Sequence, residues 1–395
     1  MQIISSKIKK IFASFSAATY IMVVGRHINT AITTILNAKR VTGAATVVAF
    51  LMLTTARVAH CATSTRTFVP ASHPAVRYIG RFDKRHPKDV RFDWPGVVIE
   101  TRFEGAYCDI LLRGDGGLYD VSIDNAAAVR RFDTLTALHH LADGLTDSIH
   151  TLRIVKRTEG IRGQIVTLNG FYLDAGRKLS PPIGAVPARR IEFIGGSNLL
   201  GFGVEADTIW CDTPANYSNA SLSFGAVTAR ETGAEYRVLA VSGKGLVRNW
   251  MSPYFAATRP FGPLYRLAVK NDPTAVWNFK SWVPQVVVVC FGTNDFSTLP
   301  YPTKALFVNN YLKFLDELRL RYRDVQIVCV TSAREPVRGY VREMVERERG
   351  TGDGKIHFYS FGDVSKKQCG CDWHPNAAAH EKIGKELASI VEPLF

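Results

Sequence analysis

Six consecutive apolar residues, Val286-Val287-Val288-Val289-Cys290-Phe291, constrain this chain more than any other stretch. A strand without polar alternation is buried on both faces. That environment belongs to parallel sheets covered by helices rather than to half-solvated antiparallel ones. The flanking pattern agrees. Ile191–Ile194, Tyr236–Val241 and Gln326–Thr331 read as further strands, and Ser218–Thr232, Phe307–Arg321 and Ala377–Val391 as helices. Strands alternating with helices predict an α/β fold, a parallel sheet with helices on both sides. In such sheets the working side chains stand on loops at the carboxyl ends of the strands.

The preceding part of the chain has a different texture. Val97–Phe103, Tyr107–Leu112, Tyr119–Ile123, Leu152–Val155 and Gln164–Leu168 are short β-rich runs, separated by Gly105, Gly114–Gly117, Asp124-Asn125 and Gly160. This spacing predicts an all-β sandwich or jelly roll over residues 63–180. Gly176–Pro187 reads as a linker, and the α/β part is expected over 188–395.

Residues 1–62 read as a leader. No Asp or Glu occurs from Met1 to Phe82, and seven cations before Cys61 supply half of the net charge of +14. Two apolar runs of 15 residues, Ile11–Gly25 and Thr42–Ala56, each follow a basic pair. Both fall short of the roughly 20 residues of a membrane span and suit a signal-peptide core, with small residues near Ala59–Ala62 for cleavage. A transit segment and an uncleaved signal anchor are the competing readings, so the expected destination is the secretory pathway, the outside or a membrane anchor. The remaining +7 reads as a basic soluble surface, with no nucleic-acid partner. The seven cysteines give no clear disulfide framework. Cys290 and Cys329 lie in apolar strands, Cys369 and Cys371 are too close for an easy mutual bridge, and no pairing has metal-ligand spacing. Neither metal nor cofactor is expected. Asn216-Tyr217-Ser218 and Asn219-Ala220-Ser221 are glycosylation sequons that also suit helix-capping asparagines.

The chemistry collects at the predicted strand ends. The first strand runs into Gly195-Gly196-Ser197, which places a serine hydroxyl just past a strand at a glycine turn, where a nucleophile is exposed beside a free backbone N–H. The second ends at Ser242-Gly243-Lys244-Gly245, where Gly243 offers an N–H with no side chain in the way. The third ends at Gly292-Thr293-Asn294-Asp295. There Asn294 can aim its amide at a developing oxyanion, while Asp295 reads as a cap for the next segment. Near the C-terminus, Cys371-Asp372-Trp373-His374-Pro375-Asn376 sits directly before a helix, and its histidine can accept the proton of Ser197. His380, on that helix, reads as structural.

Ser197, Gly243, Asn294 and His374 fall, in order, on the four signature positions of the SGNH, or GDSL-like, hydrolases. The chain resembles carbohydrate esterase family 2 more closely. Gly225–Arg230, Ser242–Trp250, Gly292–Phe296, Cys371–Asn376, Tyr78–Asp83 and Phe92–Gly105 carry the likeness, which extends over roughly 75–394. The resemblance implies a jelly roll joined to a flavodoxin-like three-layer α/β/α domain, and removal of acetyl groups from carbohydrate without metal. It further implies a Ser197–His374 dyad assisted by Asp372, through its carboxylate or its backbone carbonyl. The oxyanion hole would be the N–H groups of Ser197 and Gly243 with the Asn294 amide, and Trp373 would contact the sugar.

Two residues depart from the family pattern. Gly196 stands where an aspartate normally braces the nucleophile loop, which implies that Gly196→Asp raises turnover. Cys371 stands where many SGNH enzymes carry the His-orienting aspartate. Gly196 motivates an alternative, a carbohydrate-binding protein with impaired catalysis. A lipid esterase or thioesterase would use the same dyad but needs a long apolar groove, which Asp372–Asn376 does not suggest.

Overall fold

The computed structural model of the 395-residue chain describes residues 66–395 except 115–116, 133–136, 161–163 and 253–258. The proposed leader, residues 1–62, lies outside the described residues.

Strands β1 (Thr67–Pro70), β2 (Arg77–Ile79), β3 (Asp83–His86), β4 (Asp89–Phe92), β5 (Val98–Glu104), β6 (Cys108–Arg113), β7 (Leu118–Ile123), β8 (Ala126–Arg131), β9 (Leu138–Ala142), β10 (Ile149–Lys156), β11 (Val166–Leu173) and β12 (Leu179–Ser180) come first. They form two antiparallel sheets. One runs β3-β4-β11-β6-β9 with β1 on β11; the other runs β12-β5-β10-β7-β8 with β2 on β5. Alternation drives this half. Along β5, Ile99, Thr101 and Phe103 are buried while Glu100, Arg102 and Glu104 are partly exposed. Phe103, Leu152 and Ile154 of one sheet share a core with Phe92, Ile110 and Phe171 of the other. Within the expected linker, the short strand β12 pairs with β5.

The second half is a five-stranded parallel sheet: β13 (Arg190–Gly195), β14 (Glu235–Ala240), β15 (Val286–Cys290), β16 (Gln326–Thr331) and β17 (Ile356–Ser360), in the order β14-β13-β15-β16-β17. Four α-helices of the described residues cover it: α1 (Phe224–Glu231), α2 (Lys304–Arg321), α3 (Val337–Gly350) and α4 (Ala377–Val391). The valine run behaves as its composition requires. Val286 and Val288 pack with Phe224 of α1 and Leu387 of α4. Val287 and Val289 face the other way, toward Phe314 of α2 and Met344 of α3. Each fully buried valine is worth about 1.5–3 kcal/mol, so a polar residue in this run costs both layers at once.

Three elements differ from expectation. The helix expected over Ser218–Thr232 is α-helical only from Phe224, where the Ser223 hydroxyl caps it by accepting the Ala226 N–H at 3.4 Å. Asn219, 5% exposed, accepts the Ser221 N–H and donates to Glu205, the capping role. Asn216 instead accepts from Arg131. Helix α3 and strand β17 were not read from the sequence. The apolar residues of α3 (Val337, Val341, Met344 and Val345) are interleaved with a run of charges, and β17 is a partly exposed edge.

Buried polar contacts join the two halves. Arg81, between β2 and β3, meets Glu192 of β13 at 3.1 Å, and neither side chain is exposed. Tyr265 donates its hydroxyl to Glu192 at 2.9 Å, and Arg81 donates to the Tyr265 carbonyl. The Asp93 carboxylate accepts the N–H groups of Lys270 and Asn271 at 2.8 and 2.9 Å.

Candidate active site

Strand β13 ends in a glycine for a steric reason. A Cβ on Gly195 would lie 2.5 Å from the Cys290 carbonyl oxygen, so no side chain fits where β13 meets β15. The backbone turns at Gly196 and passes into one 3₁₀ turn, Ser197–Leu200. Ser197 opens onto a cleft of about 830 Å³. Strand β13 lies between β14 and β15, so the loops after these strands diverge and leave a crevice at the switch in strand order. Ser197, Gly243 and Asn294 belong to those three loops.

His374 comes to the same place from the loop before α4. Its Nε2 lies 2.8 Å from Ser197 Oγ. Its Nδ1 lies 3.1 Å from the Cys371 carbonyl oxygen, which also accepts the His374 backbone N–H at 3.0 Å. A carbonyl can only accept, so Nδ1 carries the proton and Nε2 is left bare to take the serine proton. Of the two routes expected for Asp372, the carboxylate is not the one used, while its backbone adds a lesser contribution beside the Cys371 carbonyl. The exposed Asp372 carboxylate makes no hydrogen bond to His374, and the orienting bond comes from one residue earlier. Left-handed backbone at Asp372 and Trp373 (φ 50° and 63°) folds the loop so that the Cys371 carbonyl faces the ring. Burial holds the His374 imidazole below its usual value of 6.5, partly opposed by the Cys371 carbonyl, then by the Asp372 charge and the Asp372 backbone.

Cys371 also forms a disulfide with Cys211, Cα–Cα 5.5 Å, a pairing that sequence spacing did not reveal. Beside it Asp372 donates its N–H to the Ile209 carbonyl at 2.9 Å. A Cβ on Gly370 would lie 2.2 Å from the Gly203 carbonyl oxygen. The His374 loop is thus docked on the segment that follows Ser197.

Ser197, Gly243 and Asn294, the residues expected to supply oxyanion donors, line the same cleft. Gly243 has φ 72°, and among the described residues the backbone N–H groups of Ser197 and Gly243 have no protein acceptor. Asn294 uses one Nδ2 hydrogen on the Lys244 carbonyl at 2.8 Å and keeps the other. Asp295 does not cap the following segment. It is fully buried and accepts the N–H groups of Leu246, Val247 and Arg248 at 3.3, 2.6 and 3.0 Å. Burial raises its pKa while those bonds oppose the rise. Asp295 therefore pins the far side of the Gly243 loop. Its adjacency to Asn294 was the only sequence signal of this role.

Trp373 is 59% exposed and lines the cleft with Trp250, so it does not anchor the loop in the core. His380 is buried, accepts the Phe224 N–H on Nδ1 at 3.0 Å, and is pushed down to about 3 by burial, the structural role expected. Among the described residues no group of three or more His, Cys, Asp and Glu is disposed to hold a metal.

Fold and strand-end loops together are those of an SGNH, or GDSL-like, hydrolase. Residues 191–387 match the family GDSL-like Lipase/Acylhydrolase, and residues 78–182 match Carbohydrate esterase 2 N-terminal. A solved active-site mutant of a family two carbohydrate esterase from Clostridium thermocellum is 30% identical, with a TM-score of 0.74 over 81% of this chain and 98% of that one. The cellulase/esterase CelE of Acetivibrio thermocellus is also 30% identical over 81% of this chain, which spans 39% of that protein's length. An acetylxylan esterase / glucomannan deacetylase of Cellvibrio japonicus is 29% identical, covering 81% of this chain and 90% of that one. The chain belongs to carbohydrate esterase family 2, a family of carboxylic ester hydrolases.

Proposed function

We propose that this chain removes acetyl groups from an acetylated saccharide through Ser197 and His374. The observation that carries the reading is the 2.8 Å contact between His374 Nε2 and Ser197 Oγ, with the opposite ring nitrogen held by a carbonyl. His374 takes the serine proton as Oγ attacks the acetyl carbonyl. The resulting oxyanion lies among the Ser197 and Gly243 N–H groups and the Asn294 amide, each such donor being worth about 2.7–4 kcal/mol of barrier. His374 then protonates the departing sugar oxygen, leaving acetyl-Ser197. Water gives a proton to His374 and attacks the acetyl-enzyme; acetate leaves and Ser197 regains its proton. Asp372 supports the imidazolium by its charge and, to a lesser degree, through its backbone.

The saccharide half of the reading rests on Trp250 and Trp373 at the rim, since an exposed indole presents an apolar face to a pyranose ring. Relatives named as acetylxylan esterases, and a Clostridium thermocellum family two esterase solved with cellohexaose, support the same class. A non-catalytic binding protein is the second reading, favoured only by Gly196. The acid-free leader and the Cys211–Cys371 disulfide support an oxidising, exported location. The deciding experiment measures acetate release from a panel of acetylated oligosaccharides. Ser197→Ala is expected to lower it roughly 10⁴- to 10⁶-fold with the fold intact. Equal hydrolysis by both proteins, or saccharide binding without hydrolysis by the wild type, would overturn the reading.

A further inference from the structure

The loop that carries Gly243 is held at nearly every point by its own half of the molecule. Trp250 donates its N–H to the Gly243 carbonyl at 2.8 Å, and Phe261 donates to the Gly245 carbonyl at 3.0 Å. Asn294 holds the Lys244 carbonyl, and Asp295 takes the three N–H groups beyond it. The residue immediately before Gly243 is the exception. The Ser242 N–H donates across to Glu159 Oε1 at 3.0 Å. Glu159 belongs to the β-sandwich half, three residues beyond β10. Ser242 offers no second anchor, because its Oγ is buried without a partner.

Glu159 stands on a fixed base. The two residues before it are buried. Arg157 donates its N–H to the Leu118 carbonyl at 2.9 Å, and its own carbonyl accepts the Ala220 N–H at 2.9 Å. Its guanidinium bonds Asp120 at 3.0 Å and also Glu205. The backbone leading to Glu159 is therefore tied to both halves.

We propose that Glu159 is a positioning residue for ester hydrolysis: its carboxylate fixes the Val241–Ser242 peptide, one unit before the one that carries the Gly243 N–H, and thereby helps aim that N–H at the oxyanion. The proposal rests on the esterase reading above. The Gly243 N–H belongs to the peptide unit that begins at Ser242. With φ at 72°, Gly243 sits in a backbone region where glycine moves freely. The anchored Ser242 N–H lies in the peptide unit just before, so only Ser242's own two backbone rotations separate the Glu159 anchor from the Gly243 donor. The β-sandwich thus supplies part of the catalytic geometry rather than only a surface for saccharide.

The test compares kcat and KM for 4-nitrophenyl acetate in the wild type, Glu159→Ala, Glu159→Gln and Glu159→Asp, with Ser197→Ala alongside. A donor displaced by about 1 Å costs roughly 100-fold in rate. Glu159→Ala is expected to lower kcat by about that factor or somewhat less, with KM little changed, because the donor acts on the oxyanion and not on the bound ester. Glu159→Gln keeps the acceptor oxygen and is expected to restore kcat to nearly the wild-type value. Glu159→Asp, one methylene shorter, is expected to resemble Ala. If Ala does not fold, the contrast between Gln and Asp decides. The proposal is overturned by wild-type kcat in Glu159→Ala or Glu159→Asp, by failure of Gln to rescue, or by an effect confined to KM. A wild type no more active than Ser197→Ala sinks the esterase reading instead.

Discussion

Gly196 gives a sharp test of how the nucleophile loop works. The family resemblance suggests that an aspartate there would brace the loop and raise turnover. The surroundings of Gly196 point the other way. A Cβ added at this position would lie 3.0 Å from Asn294 Nδ2, with the Lys244 and Val241 carbonyl oxygens at 3.7 and 3.9 Å. The nearest partner for a carboxylate is therefore the amide whose free hydrogen is reserved for the oxyanion. A charge-assisted hydrogen bond is roughly twice as strong as a neutral one, so the carboxylate should win that hydrogen. Loss of one oxyanion donor costs about 2.7–4 kcal/mol, or roughly 10²- to 10³-fold in kcat. Gly196→Asp, Asn294→Ala and the double variant should be assayed for acetyl ester hydrolysis, with thermal unfolding to check the fold. Each single variant is expected to fall by that factor, and the double variant no further than either, because both remove the same donor. Gly196→Ala adds only the Cβ and is expected to cost roughly tenfold or less, for a shift well under 1 Å. Turnover in Gly196→Asp at or above wild type, or losses that multiply in the double variant, would refute the reasoning.

Other expectations follow from the buried ion pair, the imidazole and the disulfide. Arg81→Met leaves Glu192 charged and buried, which should cost about 3–5 kcal/mol by urea denaturation; a loss below about 1 kcal/mol would show that the pair does not bridge the halves. Hydrolysis needs neutral His374, so kcat/KM should hold above the histidine's depressed pKa and fall as pH drops through it, with the acid limb centred below 6.5. Asp372→Asn removes a charge that favours the imidazolium, so that limb should move still lower with kcat within about tenfold of wild type; a loss near the ~10⁴-fold seen when a triad carboxylate is neutralised would restore Asp372 as an orienting residue. Cys211→Ser opens a covalent loop of 160 residues. The chain-entropy cost is at most roughly 5 kcal/mol, and an unchanged urea midpoint would show that the bridge contributes nothing.

Much of this molecule is legible in its residues, and the reasons are local. The valine run admits almost no environment but a covered parallel sheet, and Gly195-Gly196-Ser197 marks the end of its neighbour because only glycine fits against Cys290. The alternation of β5 shows its two faces directly. What stayed hidden depends on contacts between distant segments. Nothing near Cys371 announces Cys211, and nothing in Asp372-Trp373-His374 shows that the backbone turns left-handed and substitutes a carbonyl for a carboxylate. Asp295 read as a cap because that is what an aspartate after a turn usually does; its partners lie 47 to 49 positions earlier in the chain. Glu159 carries no local signal at all, since its partner lies 83 residues away.

The bridge between Cys211 and Cys371 has a topological consequence for proteolysis. Gly243 and Asn294 lie inside the closed loop, while Ser197 lies outside it. A single cut between Cys211 and Cys371 produces two fragments, one bearing the serine and one the histidine, yet they cannot part. Such a nicked molecule would run as one species until reduced, with the serine and histidine fragments still tethered through the bridge. A cut between Ser197 and Cys211 would instead free the serine from every covalent link to its base. The stretch between Ser197 and Cys211, and the three peptide bonds between Cys371 and His374, are therefore the places where one broken peptide bond severs the pair.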